Sequence, residues 1–228
     1  MKTYHEIPGP AGGQHKPCYA FVKYDGSNMR FEWSRKRGWY KFGTRKTMID
    51  ENTPIFGAAI PLFLQKYGDD LAKVFKSEKH FHGVQSVVVF AEWYGKLSFA
   101  GQHYPWDKDY DIVLFDVNPM KKGMLGPKQF FDMFGHLKVA ELVYTGNFGD
   151  WLVESVRKET IDITSKYPVQ VDFPEGVICK GGTGPSNTKR IEFLLEIQYI
   201  RRRIYFWSGS FLACGIHIFM PTRKSVEL

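Results

Sequence analysis

Apolar residues in the first part of the chain follow patterns typical of β-strands. Residues 19–22 are continuously apolar and predict a buried strand. An Asp-Gly pair at 25–26 is a turn signal, and apolar and polar residues then alternate over 28–33, so the pattern predicts a hairpin. Residues 38–42 predict a further strand. Lys23 therefore lies where a buried strand ends, a position that can hold an amine partly away from water.

The spacing of the apolar residues changes to that of helices in the next part of the chain. The Thr-Pro pair at 53–54 predicts a helix start, with Thr as the N-cap and Pro at the first helical position. Apolar side chains then recur at helical intervals until Gly68, where we expect a break before a second helix over residues 69–75. Two short amphipathic helices are predicted over residues 126–137 and 147–157.

Two later strands are almost entirely apolar yet include carboxylates. They are predicted over residues 86–95 and 110–117, and the first contains Glu92 close to its end. Burying an ionised glutamate there costs several kcal/mol unless the carboxylate is paired or binds a metal. Glu92 therefore needs a cationic partner. A further strand, over residues 174–180, is flanked by charged side chains.

The regular pattern weakens towards the end of the chain. We predict one domain over residues 1–193, followed by a basic and apolar tail over residues 194–228, with no separate C-terminal domain of the OB or helical type. The apolar run at 211–220 is too short to span a bilayer. The N-terminus lacks the basic and apolar segments of a signal peptide. We therefore expect a cytoplasmic protein without membrane contact.

Composition and charge narrow the range of partners. The 228 residues are 43% hydrophobic and 24% charged, which is ordinary for a globular protein. The net charge of +7 favours a polyanionic partner, either nucleic acid or nucleotide phosphates, although many basic proteins bind neither. The three cysteines have no CxxC spacing, so we expect reduced thiols in a reducing compartment.

Several charged and aromatic residues at strand ends together suit adenylyl transfer. In that reaction an amine attacks the α-phosphorus of a nucleotide, carboxylates hold a divalent metal, cations orient the phosphates and an aromatic ring stacks on the base. A free lysine has a pKa of about 10.4, and partial burial or nearby cations lower it enough to expose the nucleophilic lone pair. The candidate residues are Lys23, Glu92, Phe115, Glu175, Lys180 and Lys189.

The order of these elements resembles the covalent nucleotidyltransferase superfamily, which comprises polynucleotide ligases and mRNA capping enzymes. Lys-Tyr-Asp-Gly at 23–26 is similar to the nucleophile motif Kx(D/N/H)G. Residues 90–95, 113–116 and 175–180 resemble the third motif, the aromatic motif after it and the fourth motif, in the same order. The resemblance covers roughly residues 15–193. At the last motif the family has KxK, whereas this chain has only Lys-Arg at 189–190.

Within the superfamily the closest resemblance is to ATP-dependent RNA ligases. Gly-Ser-Asn at 26–28 is similar to the G(S/T)N of small phage and editing-type RNA ligases, whereas Asp25 is the residue that DNA ligases and capping enzymes use. An RNA ligase is therefore the first hypothesis. The alternatives are an ATP-dependent DNA ligase, a capping guanylyltransferase and an inactive nucleic-acid-binding module.

The resemblance implies an α+β fold, in which two antiparallel sheets of an ATP-grasp-like nucleotidyltransferase domain flank a nucleotide cleft, with peripheral helices. It implies ATP and Mg²⁺ (or Mn²⁺) as cofactors, and a monomer that acts on RNA, as a nicked duplex or an RNA/DNA hybrid. Lys23 would form lysyl-AMP, pass AMP to a 5′-phosphate and allow sealing to a 3′-hydroxyl. Two of the implied roles have an alternative: Arg45 is also typical of an ordinary solvated cation, and Phe115 of a core residue. The implied nucleotide-binding residues are Val22, Asn28, Arg45, Glu92, Phe115, Lys180 and Lys189, and the implied metal ligands are Glu92 and Glu175.

Overall fold

Two antiparallel sheets form the centre of the computed structural model, which describes residues 1–7, 16–95, 109–157, 176–181 and 191–196. The order is β7-β1-β8-β9 in the four-stranded sheet and β4-β3-β2-β5-β6 in the five-stranded sheet. This arrangement confirms the predicted α+β class with two antiparallel sheets. The strands are β1 (Pro17–Lys23), β2 (Ser27–Ser34), β3 (Gly38–Thr44), β4 (Met48–Ile49), β5 (Ser86–Tyr94), β6 (Asp111–Pro119), β7 (Leu142–Asn147), β8 (Gly176–Gly181) and β9 (Ile191–Glu196).

The predicted hairpin at the start of the chain is wrong, because β1 and β2 belong to different sheets. β1 pairs with β7 and β8, whereas β2 pairs with β3 and β5. The chain crosses between the sheets through the Asp-Gly turn and passes very close to β5. A Cβ on Gly26 would lie 2.4 Å from the carbonyl oxygen of Trp93. The glycine therefore permits a close backbone crossing instead of a hairpin turn.

Helices cover one face of each sheet. The first helical region comprises α1 (Ala59–Phe63), a π-helical turn (Leu64–Gly68) and α2 (Asp69–Ser77), and α3 (Pro127–Phe134) packs nearby. Their apolar residues bury the alternate side chains of the five-stranded sheet, with the rings of Phe31 and Phe63 stacked at 3.6 Å. A second core lies between the four-stranded sheet and α4 (Asp150–Arg157), and it includes the buried free thiols of Cys18 and Cys179.

The predicted helix start at the Thr-Pro pair is wrong, because α1 begins at Ala59. The hydroxyl of Thr53 exchanges hydrogen bonds of 3.0 Å with the backbone and carboxylate of Asp50, so it closes a turn instead of capping a helix. The break predicted at Gly68 is also wrong. Gly68 keeps helical dihedrals, and its carbonyl accepts a 2.9 Å hydrogen bond from Trp39 Nε1.

Most of the strands were predicted from their apolar patterns. The structure confirms β1, β2, β3, β5, β6 and β8, whereas β4, β7 and β9 were not predicted. β9 extends to Glu196, across the boundary predicted at residue 193. The domain limits themselves remain a prediction, because residues 197–228 lie outside the described residues. Among the described residues, no helix has the length and apolar character needed to cross a bilayer.

Candidate active site

A cleft of about 770 Å³ is lined by residues of both sheets. Lys23 lies in this cleft at the end of β1, where the chain leaves the four-stranded sheet. Asn28 and Glu92 are directly opposite each other in the β2–β5 ladder, so both belong to the five-stranded side. The crossing from β1 to β2 therefore brings an amine, an amide and a carboxyl into one cavity. Six of the predicted residues line it, namely Val22, Lys23, Asn28, Arg45, Glu92 and Phe115.

The carboxyl group of Glu92 is strongly affected by its surroundings. Burial raises its pKa, the positive charge of Lys23 lowers it and the negative charge of Asp25 raises it, so that the pKa is about 8. The effect of Lys23 shows that the amine and the carboxyl are close enough to interact. The raised pKa favours the protonated form of Glu92, and a cation that displaces this proton would gain an ionised oxygen ligand.

Asn28 provides a second oxygen in the same part of the cleft. Its Oδ1 is buried and has no hydrogen-bond partner among the described residues. A buried acceptor without a partner costs about 1–3 kcal/mol, so a donor group or a metal ion at this position would be stabilising. Amide and carboxylate oxygens are the ligands that Mg²⁺ and Mn²⁺ prefer. Glu92 and Asn28 therefore fit one side of a divalent metal site, although no cluster of three acidic, His or Cys ligands occurs within the described ranges.

Phe115 occupies an irregular position in β6. The β5–β6 register changes so that Phe90 pairs with Asp116 and Ala91 pairs with Leu114, which leaves Phe115 as the extra residue of a β-bulge. A bulge redirects its side chain relative to the regular strand. The ring of Phe115 is half-buried and lines the cleft, in contact with Tyr4 and Phe90. It is therefore both a packing residue and an accessible aromatic surface.

Lys180 lies behind Phe115 and outside the lining of the cleft. Its side chain is 3% exposed, and Nζ donates hydrogen bonds to Asp116 Oδ2 at 3.0 Å and to the carbonyl of Phe115 at 2.8 Å. The ammonium group also lies over the rings of Phe21 and Phe115, at 5.3 and 5.4 Å from their centroids. Its phosphate contact remains a prediction. Glu175 and Lys189, the other late candidates, lie outside the described residues.

Two features of the cleft were missed by the sequence interpretation. The N-terminal residues 4–7 form part of its wall, and Glu6 lies 3.5 Å from Arg45 in an exposed ion pair. The only sequence signal was a single aromatic residue, Tyr4, in a segment otherwise rich in Gly and Pro.

The second missed feature is an ion cluster next to the cleft, centred on Asp111. This buried carboxylate accepts hydrogen bonds from Lys66 and from Lys138 Nζ, the latter at 2.5 Å. Burial alone would raise the pKa of Asp111, but the hydrogen bonds from Lys138, Lys66 and the Ile112 amide hold it at about 2. Lys66 and Asp111 are 45 residues apart, so no local motif signals the cluster.

Comparison with known proteins identifies the type of fold. The sequence matches no protein-family model, and the search of curated proteins also gives no match. Solved RNA ligases, in contrast, share the arrangement of sheets and helices over most of the chain. The chain therefore has an RNA ligase-like fold.

Several of these solved structures are of the Naegleria gruberi RNA ligase. A mutant with AMP and Mn superposes with a TM-score of 0.59 and 11% identity, covering 89% of this chain. A mutant with ATP and Mn gives 0.57 and 13% over 89% of this chain, and the ligase with PPi gives 0.56 and 14% over 90%. The match covers 58% of the length of each of these proteins.

The raised pKa of Glu92 predicts that divalent metal binding releases a proton. Mn²⁺ binding at pH 7 should release roughly one proton per metal, and the apparent affinity should rise about tenfold per pH unit up to about pH 8 and then level off. Titration calorimetry in buffers of different ionisation enthalpy measures this release. Glu92→Gln should abolish the release, whereas Glu6→Gln, a matched change of an exposed carboxylate in the same cleft, should preserve it. Equal proton release by Glu92→Gln and the unmodified protein would contradict the assignment.

The raised pKa of Glu92 also makes the stability of the folded protein depend on pH. Between pH 4.5, the ordinary pKa of the group, and about 8, the folded protein binds more protons at Glu92 than the unfolded chain does. The contribution of Glu92 to stability is therefore complete below this window and is lost as the pH rises through it.

Proposed function

We propose that this chain is an ATP-dependent RNA ligase in which Lys23 is the nucleophile. The observation that supports the proposal most directly is the placement of Lys23 beside Glu92, in a cleft lined by both sheets. The RNA ligase-like fold provides independent support. The ordered motifs of the sequence agree with both, because the crossing between the sheets occurs at the proposed nucleophile motif.

In the first reaction step Lys23 would attack ATP. The neutral Nζ forms a bond to the α-phosphorus, the bond to the β-phosphate oxygen breaks, and pyrophosphate leaves with that electron pair while the amine loses a proton. Phe115 stacks on the adenine, Val22 borders the nucleotide, and Arg45 exchanges its exposed contact with Glu6 for a phosphate. The product is a phosphoramidate between Lys23 and AMP.

A divalent ion held by Glu92 and Asn28 would neutralise the charge that develops on the phosphates. From the sequence resemblance, Glu175 is proposed as a further metal ligand and Lys189 as a further phosphate-binding residue, whereas Lys180 is buried against Asp116 and supports the backbone of Phe115. These cations and carboxylates would hold the triphosphate so that pyrophosphate leaves in line with the attacking amine.

In the second step an oxygen of an RNA 5′-phosphate would attack the phosphorus of the lysine-bound AMP. The P–N bond breaks, and Lys23 recovers a proton as its amine leaves. In the third step a 3′-hydroxyl attacks the 5′-phosphorus, a phosphodiester bond forms, and AMP leaves. We propose that the protein acts as a monomer on nicked duplexes, including RNA/DNA hybrids.

The substrate is tested with the unmodified protein and a panel of nicked duplexes. ATP or GTP labelled at the α-phosphate is supplied with Mg²⁺ or Mn²⁺, and the protein is separated under denaturing conditions. The proposal expects covalent label from ATP and not from GTP, and sealing of nicks in duplexes that contain RNA strands. Label from GTP alone would indicate a guanylyltransferase, and sealing restricted to all-DNA nicks would indicate a DNA ligase. Salt-sensitive RNA binding without covalent label would indicate an inactive binding module.

A further inference from the structure

The N-terminal segment, residues 1–7, lies across the cleft-facing side of the five-stranded sheet. Arg30 of β2 donates hydrogen bonds of 3.3 Å to the carbonyls of Met1 and Lys2, which fix the start of the segment. Tyr4 is then buried against Val88 and Phe90 of β5, with 7% of its surface exposed. The segment is therefore anchored on two neighbouring strands of the sheet, β2 and β5, before it reaches the cleft.

The hydroxyl of Tyr4 begins a chain of buried polar contacts that leads to Phe115. It donates a 2.7 Å hydrogen bond to Asp116 Oδ2, and the same oxygen accepts from Lys180 Nζ at 3.0 Å. Lys180 also donates to the carbonyl of Phe115. Asp116 and Lys180 are almost completely buried, so these interactions are poorly screened by solvent.

The ring of Tyr4 contacts the ring of Phe115 directly. Its edge meets Phe115 with centroids 5.2 Å apart and an angle of 79°, and it meets Phe90 at 5.0 Å and 74°. Edge-to-face geometry of this kind is favourable for aromatic pairs. Phe115 needs such support because it is the extra residue of a bulge, where it lacks a regular partner on β5.

We propose that Tyr4 is a positioning residue that fixes Phe115 in the orientation in which it stacks on the nucleotide base. The inference rests on the proposed function, because it takes the cleft to be a nucleotide site. Tyr4 acts in two ways: its ring limits the rotation of the Phe115 ring, and its hydroxyl fixes Asp116 and, through Lys180, the backbone at the bulge. Replacing Tyr4 should therefore weaken the binding of the nucleotide base and leave the binding of the phosphates unaffected.

The test separates the base from the phosphates with two probes on the full chain. The triphosphate of 2-aminopurine riboside loses fluorescence when its base stacks on an aromatic ring, whereas inorganic tripolyphosphate reports phosphate binding alone. Tyr4→Leu removes the ring and the hydroxyl, and it should weaken binding of the fluorescent nucleotide roughly tenfold, the scale of one base stack. Its quenching should largely disappear, while tripolyphosphate affinity stays within about twofold. Tyr4→Phe keeps the ring contacts and should show a smaller loss, with quenching retained.

The matched control is Tyr40, whose hydroxyl also donates to a carboxylate of the same sheet, Glu32 at 2.6 Å, but which does not line the cleft. Tyr40→Leu should leave the affinities for both probes and the fluorescence quenching unchanged. Equal losses of nucleotide and tripolyphosphate affinity in Tyr4→Leu, or unchanged quenching, would overturn the proposal. If the unmodified protein binds the fluorescent nucleotide without any quenching, Phe115 does not stack on the base and the inference fails, whereas the proposed function fails only if covalent label from ATP is also absent.

Discussion

Lys23→Ala is expected to reduce the covalent label from α-labelled ATP to background. A phosphoramidate needs an amine that reaches the α-phosphorus, and Lys23 lies at the end of β1 within range of the Glu92 carboxyl. Labelled protein that survives denaturing electrophoresis measures the intermediate directly. The loss should be complete, because the alanine side chain has no nucleophile that could form this bond.

The matched control is Lys46→Ala, which removes an exposed lysine of the same cleft. It should keep most of the label, since its charge affects affinity and not bond formation. Lys23→Arg keeps the positive charge but substitutes a guanidinium that does not deprotonate in proteins, so it should also fail to label. Persistent label in Lys23→Ala, with normal folding by circular dichroism, would disprove the assignment of the nucleophile.

The sequence predicted the positions of individual strands better than it predicted which strands pair with each other. Alternation and apolar runs depend on which faces of a strand are buried, and this information is local. Strand pairing depends on contacts between distant residues, so the turn at residues 25–26 was assigned to a hairpin although it connects two sheets. Thr53 was likewise assigned to a helix N-cap, but its hydroxyl closes a turn with Asp50.

The candidate site was predictable where chemistry is confined to short motifs. Lys23, Asn28, Glu92 and Phe115 come from separate segments, and the structure places all four on one cleft, as their ordered motifs suggested. The support beneath Phe115 was not predictable. It depends on the Tyr4 hydroxyl and Asp116, which are 112 residues apart, and on a β-bulge whose register has no signal in the sequence.

The ion pair of Asp116 and Lys180 should be the most sensitive polar contact for stability. Both side chains are almost fully buried, at 1% and 3% exposure, so removing one partner leaves the other charged without adequate solvation. Asp116→Asn and Lys180→Met should each lower the free energy of unfolding by about 3–5 kcal/mol. The double variant should be less destabilised than the sum of the two single variants, because no isolated charge remains. Urea unfolding of the unmodified protein, the two single variants and the double variant measures these differences in the free energy of unfolding.

The exposed pair of Lys128 and Asp132 provides the control for that experiment. Its two groups are 2.6 Å apart on one turn of α3, closer than the buried pair, but their side chains are 70% and 57% exposed. The equivalent substitutions there should leave the unfolding curve unchanged within error, because water solvates each charge when the other is removed. If the two pairs gave similar destabilisation, or if the buried double variant lost the full sum of the single effects, burial would not be the source of the energy. The carboxylate and ammonium would then not act as one unit beneath Phe115.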